Sequence, residues 1–173
     1  MSRLLYRLSH KAQSAKIRMY SSFKMPVELF TGPKHSGKTT RLAAWCAAQL
    51  PGTVGGILQP RRPGGRVLVD VLTGEETALE VPPDAPPTVP TQQVGRFMFA
   101  AGAFEWAAAR LAHAAADLRV TTVVVDEIGP LELRGEGLDA AVRALVADAR
   151  PAVRIVLVVR EELADDVRKR YGT

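Results

Sequence analysis

Two periodicities alternate along the chain. Residues 27–30, Val-Glu-Leu-Phe, are short and apolar enough for a buried strand, and residues 40–50 are Ala-rich with helical spacing, closed by Pro51 and Gly52. Strands are expected again at 53–58 and at 66–71, the second with the alternation of a half-exposed strand, and a turn-rich basic loop at 59–65 separates them. A tight turn at 72–76 leads into a short strand at 77–81, so hairpins account for the middle of the chain. Residues 82–90 are proline-dense and predict an exposed loop without regular structure. They precede the segment Val-Gly-Arg-Phe-Met-Phe at 94–99.

A long helix follows from about 103 to 118, with Phe104, Ala107, Ala108, Leu111 and Ala115 on its apolar positions, which read as core rather than as a platform for bases. Residues 120–125 are rich in β-branched side chains and predict a central strand buried on both faces, ending in Asp126 and Glu127. A helix over 135–149, an apolar strand at 153–159 and a charged helix over 161–171 complete the pattern. Strands and helices alternating at this spacing imply an α/β fold. Its sheet is mainly parallel with helices on both faces, the middle hairpins form a small insertion, and ligands sit outside the carboxyl edge.

The chemistry begins where the first strand ends. Residues 32–39 read G-P-K-H-S-G-K-T, an uninterrupted match to the phosphate-cradling loop G-x-x-x-x-G-K-[ST], between a strand and a helix as that loop requires. Main-chain N–H groups of such a loop, with the helix N-terminus, hold a polyphosphate. Gly32, Pro33, Lys34, His35, Ser36, Gly37, Lys38, Thr39 and Thr40 form the expected nucleotide-binding segment. Gly32 and Gly37 let the backbone turn closely, Lys38 reaches the terminal phosphates as a point charge, and Thr39 takes one position on Mg²⁺. Asp126 is the matching metal-side carboxylate, acting through water, and Glu127 stands where a carboxylate orients or deprotonates an attacking water. Arg61, Arg62, Arg66 and Arg96 all lie in segments that could close over a nucleotide, and Arg96 is the first choice to reach the γ-phosphate. His35 occupies a variable loop position, and His113 reads as a packed or half-exposed side chain of the long helix.

Composition narrows the reading. With 173 residues, 47% of them hydrophobic, the chain is long enough for one domain with a core. The single cysteine, Cys46, cannot form an internal disulfide and reads as a small buried apolar residue. No apolar run approaches the ~20 residues of a membrane span. The net charge of +5 would suggest nucleic acid, but Arg3, Arg7, Lys11, Lys16, Arg18 and Lys24 supply six charges before Met25, and removing those six from +5 leaves −1. Bulk charge therefore gives a nucleic-acid role little support. Residues 1–24 form a basic, Ser-containing extension to a single domain at 25–173. Three readings of it stay open: a start-site artefact with Met25 as the functional start, a mitochondrial presequence, or an ordered basic arm. The compartment follows from that choice, cytoplasmic by default and mitochondrial if the segment is a presequence.

Three stretches together support a family. G-P-K-H-S-G-K-T, V-G-R-F before a long helix, and V-V-V-D-E-I-G-P-L-E-L at 123–133 resemble the small nucleoside-triphosphatase family of phosphate-loop NTPases, which includes the cancer-related nucleoside-triphosphatase and its bacterial and archaeal relatives. The similarity runs from residue 27 onward, and its most specific element is D-E-I-G-x-x-E at 126–132. The resemblance implies a compact P-loop α/β fold and Mg²⁺-dependent hydrolysis of nucleoside 5′-triphosphates to diphosphate and phosphate, with loose base preference. It also brings Gly129 and Glu132 onto the motif, Glu132 serving either the structure or the metal. The family's basic stretch after the second strand is only loosely recognisable at 59–67. Two alternatives use the same loop: a small nucleotide or nucleoside kinase, with arginines 61, 62 and 66 on a lid, and a nucleotide-dependent switch that hydrolyses slowly.

Overall fold

The computed structural model describes residues 27–81, 90–94 and 97–172. The basic segment 1–24, nearly all of the proline-dense loop and Arg96 lie outside the described residues.

A seven-stranded sheet organises the molecule, in the order β1-β9-β8-β2-β4-β3 with β5 beside β4. Its parallel part is β1 (Val27–Gly32), β9 (Arg154–Arg160), β8 (Thr122–Ile128) and β2 (Val54–Leu58). The antiparallel wing consists of β4 (Gly65–Asp70), β5 (Glu76–Ala78) and the two-residue β3 (Arg61–Arg62). β6 (Thr91–Val94) and β7 (Phe97–Ala100) form a separate hairpin, joined to β5's extension by a single bridge between Glu80 and Phe99. The sheet is thus mainly parallel with a hairpin wing, as the alternation of elements predicts.

Period-two alternation in the central strands explains why helices lie on both faces. Val123 and Val125 of β8, with Ile155, Leu157 and Val159 of β9, face one apolar cluster, while Val124, Val156 and Val158 face another. α1 (Lys38–Ala47) covers the second face through Leu42. The larger cluster is covered by α2 (Ala101–Ala116) through Ala103, Ala107 and Leu111, by α4 (Asp139–Asp148) through Val142 and Leu145, and by α5 (Ala164–Tyr171) through Val167 and Tyr171. α3 (Pro130–Leu133) is a single turn between β8 and α4, and a 3₁₀ turn at Glu161–Leu163 leads into α5.

Small residues set how closely α2 approaches β2. A Cβ on Gly55 would stand 2.7 Å from Ala114 Cβ, and one on Gly56, whose φ is 115°, would stand 2.0 Å from the Val124 carbonyl oxygen. Only glycine allows both contacts.

Several elements differ from what the chain's pattern predicts. The helix expected over 135–149 begins only at Asp139, because Gly135 and Gly137 take φ of 84° and 58°, outside the helical region. The basic loop at 59–65 contains β3, which pairs back on β4. Cys46 is half-buried against the smaller cluster rather than fully enclosed, and His113 is exposed on α2. No helix among the described residues is long and apolar enough to cross a membrane.

Candidate active site

The glycine loop leaves the carboxyl end of β1 and turns directly into α1. His35 and Gly37 take positive φ, 62° and 76°, and Gly37 caps the helix in the left-handed conformation, so the chain folds tightly around the lysine. Lys38 Nζ donates to the carbonyls of Gly32 and Pro33 at 2.8 and 2.7 Å, which fixes the ammonium over the loop. Residues 33–37 and Thr40 are exposed, and Lys38 and Thr39 half-buried.

β8 enters the site through a bulge. Val125 pairs with Leu157 and Ile128 with Val159, so three steps along β8 match two along β9. The extra residue breaks the alternation that would send Asp126 and Glu127 to opposite faces, and Glu127 adopts φ 61°. Such a conformation costs ~1–2 kcal/mol in a non-glycine residue and persists where surrounding structure enforces it.

Asp126 is 1% exposed. Its Oδ2 accepts the Gln59 backbone N–H at 3.0 Å, and Gln59 Nε2 donates to the Asp126 carbonyl at 2.7 Å, so the residue following β2 locks the strand end in place. Oδ1 is buried without a hydrogen-bond partner among the described residues. Burial pushes the Asp126 carboxyl up, opposed by the Gln59 N–H and by the Thr39 side chain, while the charge of Glu127 adds to the rise. A buried carboxylate oxygen left free beside the loop threonine fits a hard cation with oxygen ligands. Among the described residues no cluster of three or more His, Cys, Asp or Glu side chains could form an all-protein cage. A one-carboxylate, one-hydroxyl donor set suits Mg²⁺, which keeps several of its waters.

Glu127 lies between two guanidiniums. Arg66 Nη1 donates to its Oε2 at 3.1 Å and Arg160 Nη2 to its Oε1 at 3.0 Å. Arg66 also binds Glu80, Nε to Oε1 at 2.6 Å, and lies over the rings of Phe97 and Phe99 at 4.9 and 5.0 Å. Arg61 and Arg62 point elsewhere: Arg61 makes a 3.8 Å contact with Glu80, and Arg62 pairs with Glu76 on the exposed wing.

Glu132 holds the backbone of the acidic motif. It is 5% exposed, its Oε2 accepts the Gly129 N–H at 2.9 Å and its Oε1 the Leu138 N–H at 3.2 Å. It thereby caps the first turn of α3 through the Gly129 N–H and ties the start of α4 to the end of β8. Of the two roles open to Glu132, the geometry supports the structural one.

The fold thus brings Lys38, Thr39, Asp126 and Glu127 to one end of the sheet. Gln59 and Arg160 escaped the sequence reading. Arg160 is the Cα register partner of Gly32 across the parallel β1–β9 pair, an adjacency with no local signature. A groove of about 270 Å³ beside Glu28, Phe30, Arg41, Trp45 and Arg154 runs along the flank of β1 and α1 and includes neither the loop residues 32–40 nor Asp126 and Glu127.

A lysine-bearing glycine loop, with a buried acid one strand removed at the same carboxyl edge, is how proteins grip a polyphosphate, and it places this molecule among the P-loop α/β nucleotide-binding enzymes. The sequence profile described as NTPase matches residues 28–173, and the chain belongs to that family of nucleoside-triphosphatases. Two solved structures are similar. The human cancer-related nucleoside triphosphatase shares 27% identity over 84% of each chain with a TM-score of 0.58. THEP1 from the hyperthermophile Aquifex aeolicus shares 21% identity over 85% of this chain and 86% of its own, with a TM-score of 0.62, a likeness of fold. No curated protein sequence matches the chain significantly.

Proposed function

We propose that the protein hydrolyses nucleoside 5′-triphosphates to diphosphate and phosphate with Mg²⁺ as cofactor and with broad base preference. The observation that carries the reading is the unpartnered Oδ1 of buried Asp126 beside Thr39. The loop N–H groups of residues 34–39 bind the β- and γ-phosphates, and Lys38 turns from its carbonyl partners toward the negative charge that develops there. Thr39 and Asp126 hold the metal ion, which when bound neutralises charge on the phosphate oxygens. Glu127 accepts a proton from water as the water oxygen bonds to the γ-phosphorus. The bond from that phosphorus to the bridging oxygen breaks, and its electron pair leaves on the diphosphate. The breadth of base preference rests on the family and the human relative, both named for nucleoside triphosphates without reference to a base.

Phosphate release from purine and pyrimidine triphosphates, with and without Mg²⁺ and without any acceptor, tests the reading beside Asp126→Asn and Glu127→Gln. Multiple turnover that needs Mg²⁺ and falls on the order of 10²-fold or more in both variants is expected. Binding without turnover, or turnover that needs an acceptor, would replace hydrolysis with a switch or a kinase.

A further inference from the structure

The two arginines on Glu127 are not equivalent. Arg66 is anchored independently of it, by Glu80 through both Nε and the backbone N–H, at 2.6 and 2.9 Å, and by two aromatic rings, and its side chain is 14% exposed. The Arg160 guanidinium has Glu127 as its one partner among the described residues, and its side chain is 27% exposed. It also ends β9 at the position paired with Gly32, the first residue of the phosphate loop. One cation is fixed, and the other is free to leave, beside the loop that receives the substrate.

We propose that Arg160 contacts the terminal phosphate of a bound nucleoside triphosphate, exchanging the Glu127 carboxylate for phosphate oxygens as the nucleotide arrives. This rests on the triphosphatase reading of the same loop. Charge and geometry favour the exchange. A triphosphate carries more negative charge than one carboxylate, and its oxygens suit the planar guanidinium fork. Departure of Arg160 leaves Glu127 still paired with Arg66, so no carboxylate is stranded, whereas departure of Arg66 would strip the partly buried Glu80 of its closest partner. The exchange also releases Oε1 of Glu127, the oxygen that Arg160 occupies, to accept a proton from water. A single side-chain movement, driven by the γ-phosphate, then both stabilises the leaving charge and arms the base. A diphosphate, lacking that group, leaves the Arg160–Glu127 pair intact.

The test compares equilibrium binding of ADP and of the non-hydrolysable β,γ-imido analogue of ATP to the wild type, Arg160→Ala and Arg160→Lys, with turnover measured in parallel. Arg160→Ala is expected to weaken the triphosphate analogue about tenfold or more while ADP affinity changes less than about threefold. Its kcat falls on the order of 10³-fold, and millimolar guanidinium restores part of it. Arg160→Lys recovers some analogue binding as a point charge but little kcat. Equal weakening of both nucleotides, or a kcat within about threefold of wild type, overturns the assignment to Arg160. If Arg160→Ala does not fold, the same affinity ratio in Arg160→Lys decides. A wild type that binds the analogue but releases no phosphate would sink the triphosphatase reading, and the affinity ratio would still judge Arg160.

Discussion

Replacing Glu132 by glutamine separates a structural carboxylate from a chemical one. Its two oxygens accept two backbone N–H groups, of Gly129 and Leu138, inside a pocket so close that a Cβ on Gly137 would stand 2.5 Å from Oε1. Glutamine keeps the shape but presents one amide NH₂ to an N–H donor, so one buried backbone group loses its acceptor, a loss worth about 1–3 kcal/mol. For a domain of this size, about 2 kcal/mol corresponds to a melting temperature lower by about 4–8 °C. The gap also depends on pH. Burial raises the Glu132 carboxyl, so the wild type's advantage is fully present below the ordinary glutamate pKa of ~4.3 and shrinks as pH rises through the folded value. Thermal unfolding across pH, with phosphate release as a function of Mg²⁺, checks both arms. The variant is expected to melt earlier while its half-activating Mg²⁺ concentration stays that of the wild type. An unchanged melting temperature with a displaced Mg²⁺ requirement would refute the reasoning and move Glu132 into the metal site.

Two further outcomes follow from the electrostatics. Asp139, buried at the start of α4, receives Arg170 Nε and Nη2 at 2.6 Å each and Tyr171 Oη at 2.9 Å, and the Arg170 hydrogen bonds hold its carboxyl below the usual range. Asp139→Asn should therefore melt several degrees below wild type at pH 7, the difference persisting above the ordinary aspartate pKa of ~3.9 and fading as pH falls through the lower folded value; a difference that stayed constant into acid would contradict this. The Cys46 thiol is pushed up to about 11 by burial and, secondarily, by the charge of Asp126, so its alkylation at pH 8 should run on the order of 10²-fold slower than that of a free thiol, and a rate equal to the free thiol's would remove the premise.

How much of this was legible in the sequence depended on how far apart in the chain the cooperating residues lie. The phosphate loop is contiguous, and the β-branched run before Asp126 announces a buried strand, so the positions of Thr39 and Asp126 at one edge of the sheet could be read from local pattern. The hairpin wing was also legible, because turn residues and alternation are local signals. Arg160 was not, since only the parallel register of β1 and β9 sets it beside Gly32, 128 positions away in the numbering. The Gln59 contact to Asp126 likewise depends on β2 lying next to β8. The helix start at Asp139 was misplaced because apolar periodicity carries no information about the positive φ of Gly135 and Gly137. Glu132 was visible as part of a motif, but its two backbone partners appear only once α3 and α4 are folded against β8.

The bulge at Glu127 sets two selective pressures against each other. Glycine would adopt the same φ of 61° without the steric cost a side chain bears, so a search for thermostable variants has a reason to arrive at this position. The gain would come with loss of the carboxylate that two arginines face and that the proposed reaction uses as its base. A library ranked by melting temperature would favour glycine here only where relief of that φ exceeds the loss of the two guanidinium pairs, and what it selected would keep the phosphate loop while lacking the carboxylate.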